Sequence, residues 1–220
     1  MLNKCYKCFR PLKSCYCSDI TPVNTGVKFV FLMHPKEAFK QKTGTGRLAS
    51  LSLIDSEIII GIDFTHNKHL NSMINGVDAY AQYFPVLLYP SKDAYFTDTP
   101  AFRDVLATKK LLVILIDATW YLAQKMLKLS TNLDPLPKLS FKNNYRSQFE
   151  IKLQPDPACL STIESSYYLI EELKTAGIAN SQTDQSGLMK VFRKMVKYQQ
   201  LCTQSRHEAI ALEQHPDLFS

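Results

Sequence analysis

The sequence predicts an α/β protein built on a mainly parallel sheet, with a small cysteine-rich module in front of it. Three observations carry this. Four short, continuous apolar runs recur along the chain: VKFVFLM (27–33), SEIIIGI (56–62), FPVLLYP (84–90) and KLLVILID (110–117). Runs of that kind, unbroken by polar residues, suit strands covered on both faces. Segments able to form helices lie between them, and alternating strand and helix is the pattern of a parallel sheet. Finally, of six cysteines, Cys5, Cys8, Cys15 and Cys17 fall close together at the start, while Cys159 and Cys202 stand alone.

Residues 1–24 are cysteine-rich, basic and turn-prone, a module too small to build a core of its own. Residues 25–220 form the main domain. After the first apolar run, residues 47–54 follow a glycine-threonine loop and read as a helix. Residues 68–76 and 101–108 are short helices, and WYLAQKMLKL (120–129) is a stronger one. Beyond Pro137 come two extended pieces, KLSF (138–141) and FEIKL (149–153). The next helix starts at Ser161, where Ser161 and Glu164 have capping-box spacing, each side chain serving a free backbone amide of the first turn. Ile163, Tyr167, Ile170 and Leu173 keep helical spacing, and Gly177 ends it. The last segment, 186–212, is amphipathic. Leu188, Val191, Phe192, Met195 and Cys202 mark one face, with Lys190, Arg193, Lys194 and Lys197 on the others. That is a surface helix with a solvated basic side, or, more sharply, an RNA-facing stripe.

Bulk properties narrow the functional classes. A chain of 220 residues with 45% hydrophobic content can bury one sizeable core. The net charge of +6 and a pI near 8.9 suit a protein that meets a polyanion on one face, and equally an ordinary basic surface. No apolar run reaches the roughly eighteen residues of a membrane span, so no membrane partner is expected. The segment MLNKCYKCFR lacks the apolar stretch of a secretory signal, so a cytoplasmic location is expected.

Four constellations carry chemistry. Cys5, Cys8, Cys15 and Cys17 form C-x-x-C, six residues, then C-x-C. Two close thiolate pairs close a tetrahedron, which is what a structural zinc ion requires. The competing readings are unliganded thiols or a redox dithiol, and the latter expects a C-x-x-C after a strand and opening a helix. Lys7, Arg10 and Lys13 lie among the ligands, within reach of phosphate. The second constellation, KTGTGRL (42–48), contains Thr45, Gly46 and Arg47. Its amides can face an anion or a nucleotide, or simply make a tight turn; Walker spacing is absent. The third, IDATW (116–120), sets Asp117 at the end of an apolar strand, where open α/β sheets bind ligands. The plain alternative makes Asp117 or Thr119 an N-cap of the following helix. The fourth, CLSTIES (159–165), holds Leu160, Ser161, Thr162 and Glu164, with capping as its default explanation.

Taken in order, these pieces resemble the DTW-domain family, named for an Asp-x-Thr-Trp signature that here is Asp117-Ala118-Thr119-Trp120. The resemblance spans CYKCFRPLKSCYC, TGTGRL, DATWYLAQKM, Tyr145-Arg146 and STIES. It implies a knotted, methyltransferase-like (SPOUT-like) core behind a small N-terminal zinc module. It also implies an enzyme that transfers the 3-amino-3-carboxypropyl group of S-adenosylmethionine to the imide nitrogen of a tRNA uridine, leaving methylthioadenosine. Asp117 is then the catalytic candidate, as general base or as a group orienting the donor; as a base it needs a pKa raised by burial. Donor-binding candidates are Thr45, Gly46, Arg47, Tyr89, Pro90, Ser91, Thr119, Trp120, Leu160, Ser161, Thr162 and Glu164. RNA-binding candidates are Arg146, Lys190, Arg193 and Lys194. Small departures exist: Ala118 stands where the family often has Gly, Gly44 or Thr45 where it often has Asn. Ser147-Gln148 follows Arg146 where bacterial members tend to continue with another arginine, which bears on the target nucleotide. Rival functions are an RNA methyltransferase of the same fold, an aminocarboxypropyltransferase acting on rRNA, and a non-enzymatic zinc-ribbon RNA-binding protein. DNA is not expected as a partner, and the oligomeric state is left open.

Overall fold

The computed structural model describes residues 3–41, 43–151 and 159–214, with side chains described through residue 206. The strands are β1 (Lys28–Met33), β2 (Ser56–Ile60), β3 (Tyr83–Leu88), β4 (Lys110–Asp117) and β5 (Lys138–Leu139). All pair in parallel, in the order β2-β1-β4-β3-β5. The helices are α1 (Pro35–Phe39), α2 (Gly46–Leu51), α3 (Lys68–Ile74), α4 (Pro100–Leu106), α5 (Trp120–Leu129), α6 (Thr162–Thr175) and α7 (Ser186–Gln214).

The central strands, β1 and β4, are buried along almost their whole length. Alternate side chains feed two cores. Phe29, Phe31, Leu111, Val113 and Leu115 pack with Leu48 of α2, Phe102 of α4, Ile170 of α6 and Phe192 of α7. Val30, Leu32, Leu112 and Ile114 pack with Leu70 and Met73 of α3 and Met126 of α5 on the other face. The result is three layers, helix on sheet on helix, and it explains the unbroken apolar runs. Pro85 is tolerated inside β3 for a local reason. The amides of Leu87 and Tyr89 donate toward β5, to Pro137 and Leu139. Pro85 lies on that side too, beyond the end of the two-residue β5, where a missing N–H breaks no ladder.

Helix ends follow the expected chemistry. Ser161 and Glu164 form a complete capping box on α6. Gly177, at φ +74°, closes it: its amide donates to Lys174 and that of Ile178 to Leu173, a Schellman pair. Among the described residues, no helix is long and apolar enough to cross a membrane.

Some expectations need correcting. The extended piece 138–141 shrinks to Lys138–Leu139. Of FEIKL, Phe149–Ile151 are not strand, and residues 152–153 lie outside the described residues. Cys202 does not share the apolar face of α7; it is exposed, whereas Leu188, Val191, Phe192 and Met195 are fully buried. Arg10 does not stand ready for phosphate, for it is buried. Lys42 of the glycine-threonine loop lies outside the described residues.

Phe192 docks α7 through the core and meets Phe149 edge to face at 5.4 Å. Phe192→Ala should lower unfolding stability by about 3–5 kcal/mol in a denaturant titration, since a fully buried ring leaves a cavity that the layers cannot collapse to fill.

Candidate functional site

The carboxyl ends of β3, β4 and β5 open into a cavity of about 630 Å³, of the size that holds a nucleoside-sized ligand. Thr45, Tyr89, Pro90, Asp117, Thr119, Trp120, Leu160, Ser161 and Thr162 line it, with Glu37, Tyr121, Phe149 and Cys159. Gly46, Arg47, Ser91 and Glu164 stand outside the lining. Two of these still shape the cavity from behind, as described below. Glu37, Phe149 and Cys159 are lining residues that sequence reasoning missed. Cys159 opens the CLSTIES segment, which was a signal to follow; Glu37 and Phe149 have no motif, and only the fold brings them to the strand ends.

Asp117 occupies the floor. It ends β4 beside Met33 of β1, and its backbone carbonyl accepts the amide of His34. Its side chain is 4% exposed. Oδ1 accepts the Thr162 hydroxyl at 2.6 Å. The capping explanation for IDATW therefore does not hold for Asp117, whose carboxylate is turned to α6 rather than to α5. Thr119 is the N-cap residue of α5 by position, but its side chain makes no capping bond. On the opposite side of the carboxylate lies Gly46. A Cβ there would fall 2.3 Å from Oδ2, closer than any real contact. The glycine of the TGTG loop is thus explained by room for Asp117, not by a tight turn.

Tyr89, following β3, and Trp120, opening α5, stack at 5.9 Å with planes 4° apart. They make a flat aromatic wall on the cavity. The lining contains two carboxylates, Glu37 and Asp117, and no lysine, arginine or histidine among the described residues.

The opposite wall is tied down by buried glutamates on one face of α6. Glu164 accepts the Ser161 amide (2.9 Å) and hydroxyl (2.6 Å), the Ser147 hydroxyl (2.8 Å) and the Gln148 amide (2.6 Å). Two turns on, Glu172 accepts the Tyr145 hydroxyl at 3.1 Å and the Asn143 amide at 3.4 Å. Tyr145 stacks on Tyr168 at 4.0 Å. The STIES and Tyr145-Arg146 segments meet here, and the arrangement sets Phe149 into the cavity.

Near the N-terminus, the sulfurs of Cys5, Cys8, Cys15 and Cys17 lie within 4.8 Å of one another. Cys5–Cys17 is 3.6 Å and Cys8–Cys15 is 3.7 Å. A tetrahedron with zinc–sulfur bonds of about 2.3 Å has edges of about 3.8 Å, so the spacing fits. The backbone amides of Cys8 and then Lys7 pull the Cys5 thiol down to about 6, while burial pushes Cys17 up. Several thiolates this close need a cation among them. These residues fit a four-cysteine metal site, and Cys5–Cys8 forms a turn closed by the Phe9 amide on the Cys5 carbonyl at 2.9 Å, not the helix a redox dithiol would open.

The cationic candidates are scattered. Arg146, Lys190, Arg193 and Lys194 are exposed. Arg193 donates to Gln148 at 3.0 Å, and Lys194 pairs with Asp19 at 2.7 Å, tying α7 to the cysteine segment. Arg47 lies over the Phe9 ring at 4.3 Å, in a separate 120 Å³ pocket with Lys4 and Gly44. Burial holds its guanidinium below the usual range, while Asp117 and Cys8 attract it.

Glu164→Gln should cost about 2–3 kcal/mol in chemical denaturation. All four of its contacts come from donors, and the amide nitrogen of glutamine would face at least one of them. An unchanged midpoint would show that the 145–149 wall is held by other contacts.

A family model described as "DTW domain" matches residues 2–200. A tRNA-uridine aminocarboxypropyltransferase 2 of Drosophila melanogaster is 27% identical over 177 residues, covering 79% of this chain and 67% of that protein. The protein of that name from Mus musculus is 27% identical over 170 residues, and that from Macaca fascicularis 25% over 171. The chain spans only 53% of the length of each of these two. No solved structure matches the chain. With the Asp117–Trp120 signature on the floor and wall of its cavity and the family match running through nearly the whole sequence, the chain belongs to the DTW-domain family.

Proposed function

We propose that this protein transfers the 3-amino-3-carboxypropyl group of S-adenosylmethionine to the imide nitrogen of a tRNA uridine, releasing methylthioadenosine. The observation that carries the reading is the cavity itself. It is acid-lined, free of cations among the described residues and built from the family's own motif segments, and it suits a donor whose reacting sulfur is positively charged. The names of the fly and mammalian relatives point to the same reaction.

The residues divide the work. Tyr89 and Trp120 offer the adenine a stacking wall. Leu160, Ser161 and Pro90 bound the nucleoside. Asp117 accepts the imide proton as the nitrogen's electron pair bonds to the donor's methionine Cγ. The sulfur–Cγ bond breaks, its pair stays on sulfur, and the charge on sulfur is lost. Thr162 and Gly46 keep the carboxylate aimed while this happens. Arg47 and Lys4 lie beside the cavity to meet a carboxylate or phosphate.

Residues 1–24 we read as the zinc-binding module and residues 25–220 as the donor-binding domain. Zinc, held by Cys5, Cys8, Cys15 and Cys17, has a structural role, because four protein ligands leave no open position for chemistry. The tRNA lies across the exposed Lys7, Lys13, Arg146, Lys190 and Arg193. The order β2-β1-β4-β3-β5, in which the chain crosses from the β2 edge to β3 and β4 then inserts between β1 and β3, supports a knotted SPOUT-like core. The clustered free thiols suit the reducing cytoplasm.

The decisive test incubates purified protein with S-adenosylmethionine and unmodified tRNA, followed by mass spectrometry of the nucleosides and the spent donor. A uridine gaining an aminocarboxypropyl mass together with methylthioadenosine is expected; a methyl mass with S-adenosylhomocysteine would overturn the assignment. Asp117→Asn should lower turnover by about 10²–10⁴-fold while weakening the donor far less in calorimetry, because Glu37 still lines the cavity. Turnover near wild type would sink the base proposal, and a weakened donor with normal turnover at saturation would make Asp117 an orienting group. Gly46→Ala should cost about 10²-fold in rate by displacing the same carboxylate.

A further inference from the structure

Arg10 sits between two cysteines of the cluster and yet points away from solvent, 7% exposed. Its Nη2 donates to the Gly44 carbonyl at 3.0 Å and approaches the Met195 sulfur of α7 at 3.4 Å. Its guanidinium lies 5.0 Å above the Tyr16 ring. Among the described residues it forms no ion pair with a carboxylate. A buried guanidinium needs compensating charge. Its backbone is tied directly to the knuckle, for the Cys5 amide donates to the Arg10 carbonyl at 2.8 Å. Four thiolates around one divalent ion carry a net charge of about −2, so a loaded cluster supplies that compensation.

The other end of Arg10 is held by the loop of the donor site. Gly44 precedes Thr45, which lines the cavity, and Gly46, which abuts Asp117. A second contact runs the same way. Phe9, its backbone turned into the left-handed region at φ +58°, carries Arg47 on its ring at 4.3 Å. Neighbouring residues of the cysteine knuckle thus grip the loop at Gly44 and at Arg47.

We propose that Arg10 is a positioning residue that couples metal occupancy of the cysteine cluster to the donor cavity, through Gly44 and the Gly46–Asp117 contact. The metal is then more than a fastener for residues 1–24. It sets the affinity of a cavity to which it contributes no ligand atom. The inference rests on the reading that this cavity takes S-adenosylmethionine.

The test uses the full chain, zinc-loaded or stripped by a chelator, with S-adenosylmethionine affinity read by calorimetry and by the fluorescence of Trp120, the one tryptophan. Circular dichroism monitors the fold. Stripping zinc from the wild type should weaken donor binding about tenfold, an ordinary size for coupling between sites, and by reciprocity the donor should tighten zinc by the same factor. Zinc-loaded Arg10→Met should show the weakened affinity already, with little further loss on stripping. Arg10→Lys should recover part of it, since charge returns without the planar fork. Equal donor affinity in zinc-loaded Arg10→Met and wild type would overturn the proposal, as would the same zinc effect in both. If Arg10→Met does not fold, hydrogen exchange in the wild type decides: faster exchange at residues 43–49 on zinc removal supports the coupling, and unchanged exchange overturns it. Wild-type protein that binds zinc but no donor would overturn the functional reading itself, a result separate from any behaviour of Arg10.

Discussion

The structure depends on how one carboxylate is held. Asp117 ends the central strand β4, buried, with Thr162 donating from one side and Gly46 pressed against the other. Neither neighbour is near it in sequence. Thr162 belongs to α6, packed across the sheet, and Gly46 opens α2, which follows β1. Strand order, helix packing and the absence of a side chain at one glycine all converge on it. Any change that slides α2 or α6 by a fraction of an ångström is felt there, because a close-packed interior passes displacement on rather than absorbing it.

The rest of the site is built around that point with hydrogen bonds rather than charge pairs. Glu164 and Glu172 are buried and accept from hydroxyls and amides of the 143–148 segment, not from arginine or lysine side chains. A carboxylate that gathers several neutral donors makes a rigid corner without bringing a cation into the cavity. That is how one wall can be firm while the lining, among the described residues, stays free of positive charge.

Much of this was legible in the sequence, and the exceptions have physical causes. The four apolar runs became β1 to β4, and the capping pair at Ser161 and Glu164 formed as its spacing requires. Both signals are local, carried by residues next to one another. The segment 138–151 misled because its apolar residues look extended, whereas residues 142–148 within it are held by glutamates of α6. Glu164 read as a cap and as a donor-binding candidate; its role in holding the wall depends on Ser147 and Gln148 coming alongside. Arg10 looked like a phosphate contact because nothing nearby reveals that Met195, on a distant helix, is waiting over it. Gly46 suggested an anion-facing loop or a tight turn, yet its use is space. In each case the deciding partner is far away in the chain, where no spacing rule reaches.

Among the described residues the lining carries no cation, and for the donor proposed above this has a consequence for turnover. A sulfonium entering a pocket that holds Glu37 and Asp117 is drawn by both carboxylates. Once its carbon has been transferred, the sulfur left behind is an uncharged thioether, and that attraction disappears with the bond. The same side chains that retain the donor therefore have nothing with which to retain what it becomes. A pocket of this kind clears itself through the loss of charge in the reaction, with no moving part needed to expel the spent nucleoside.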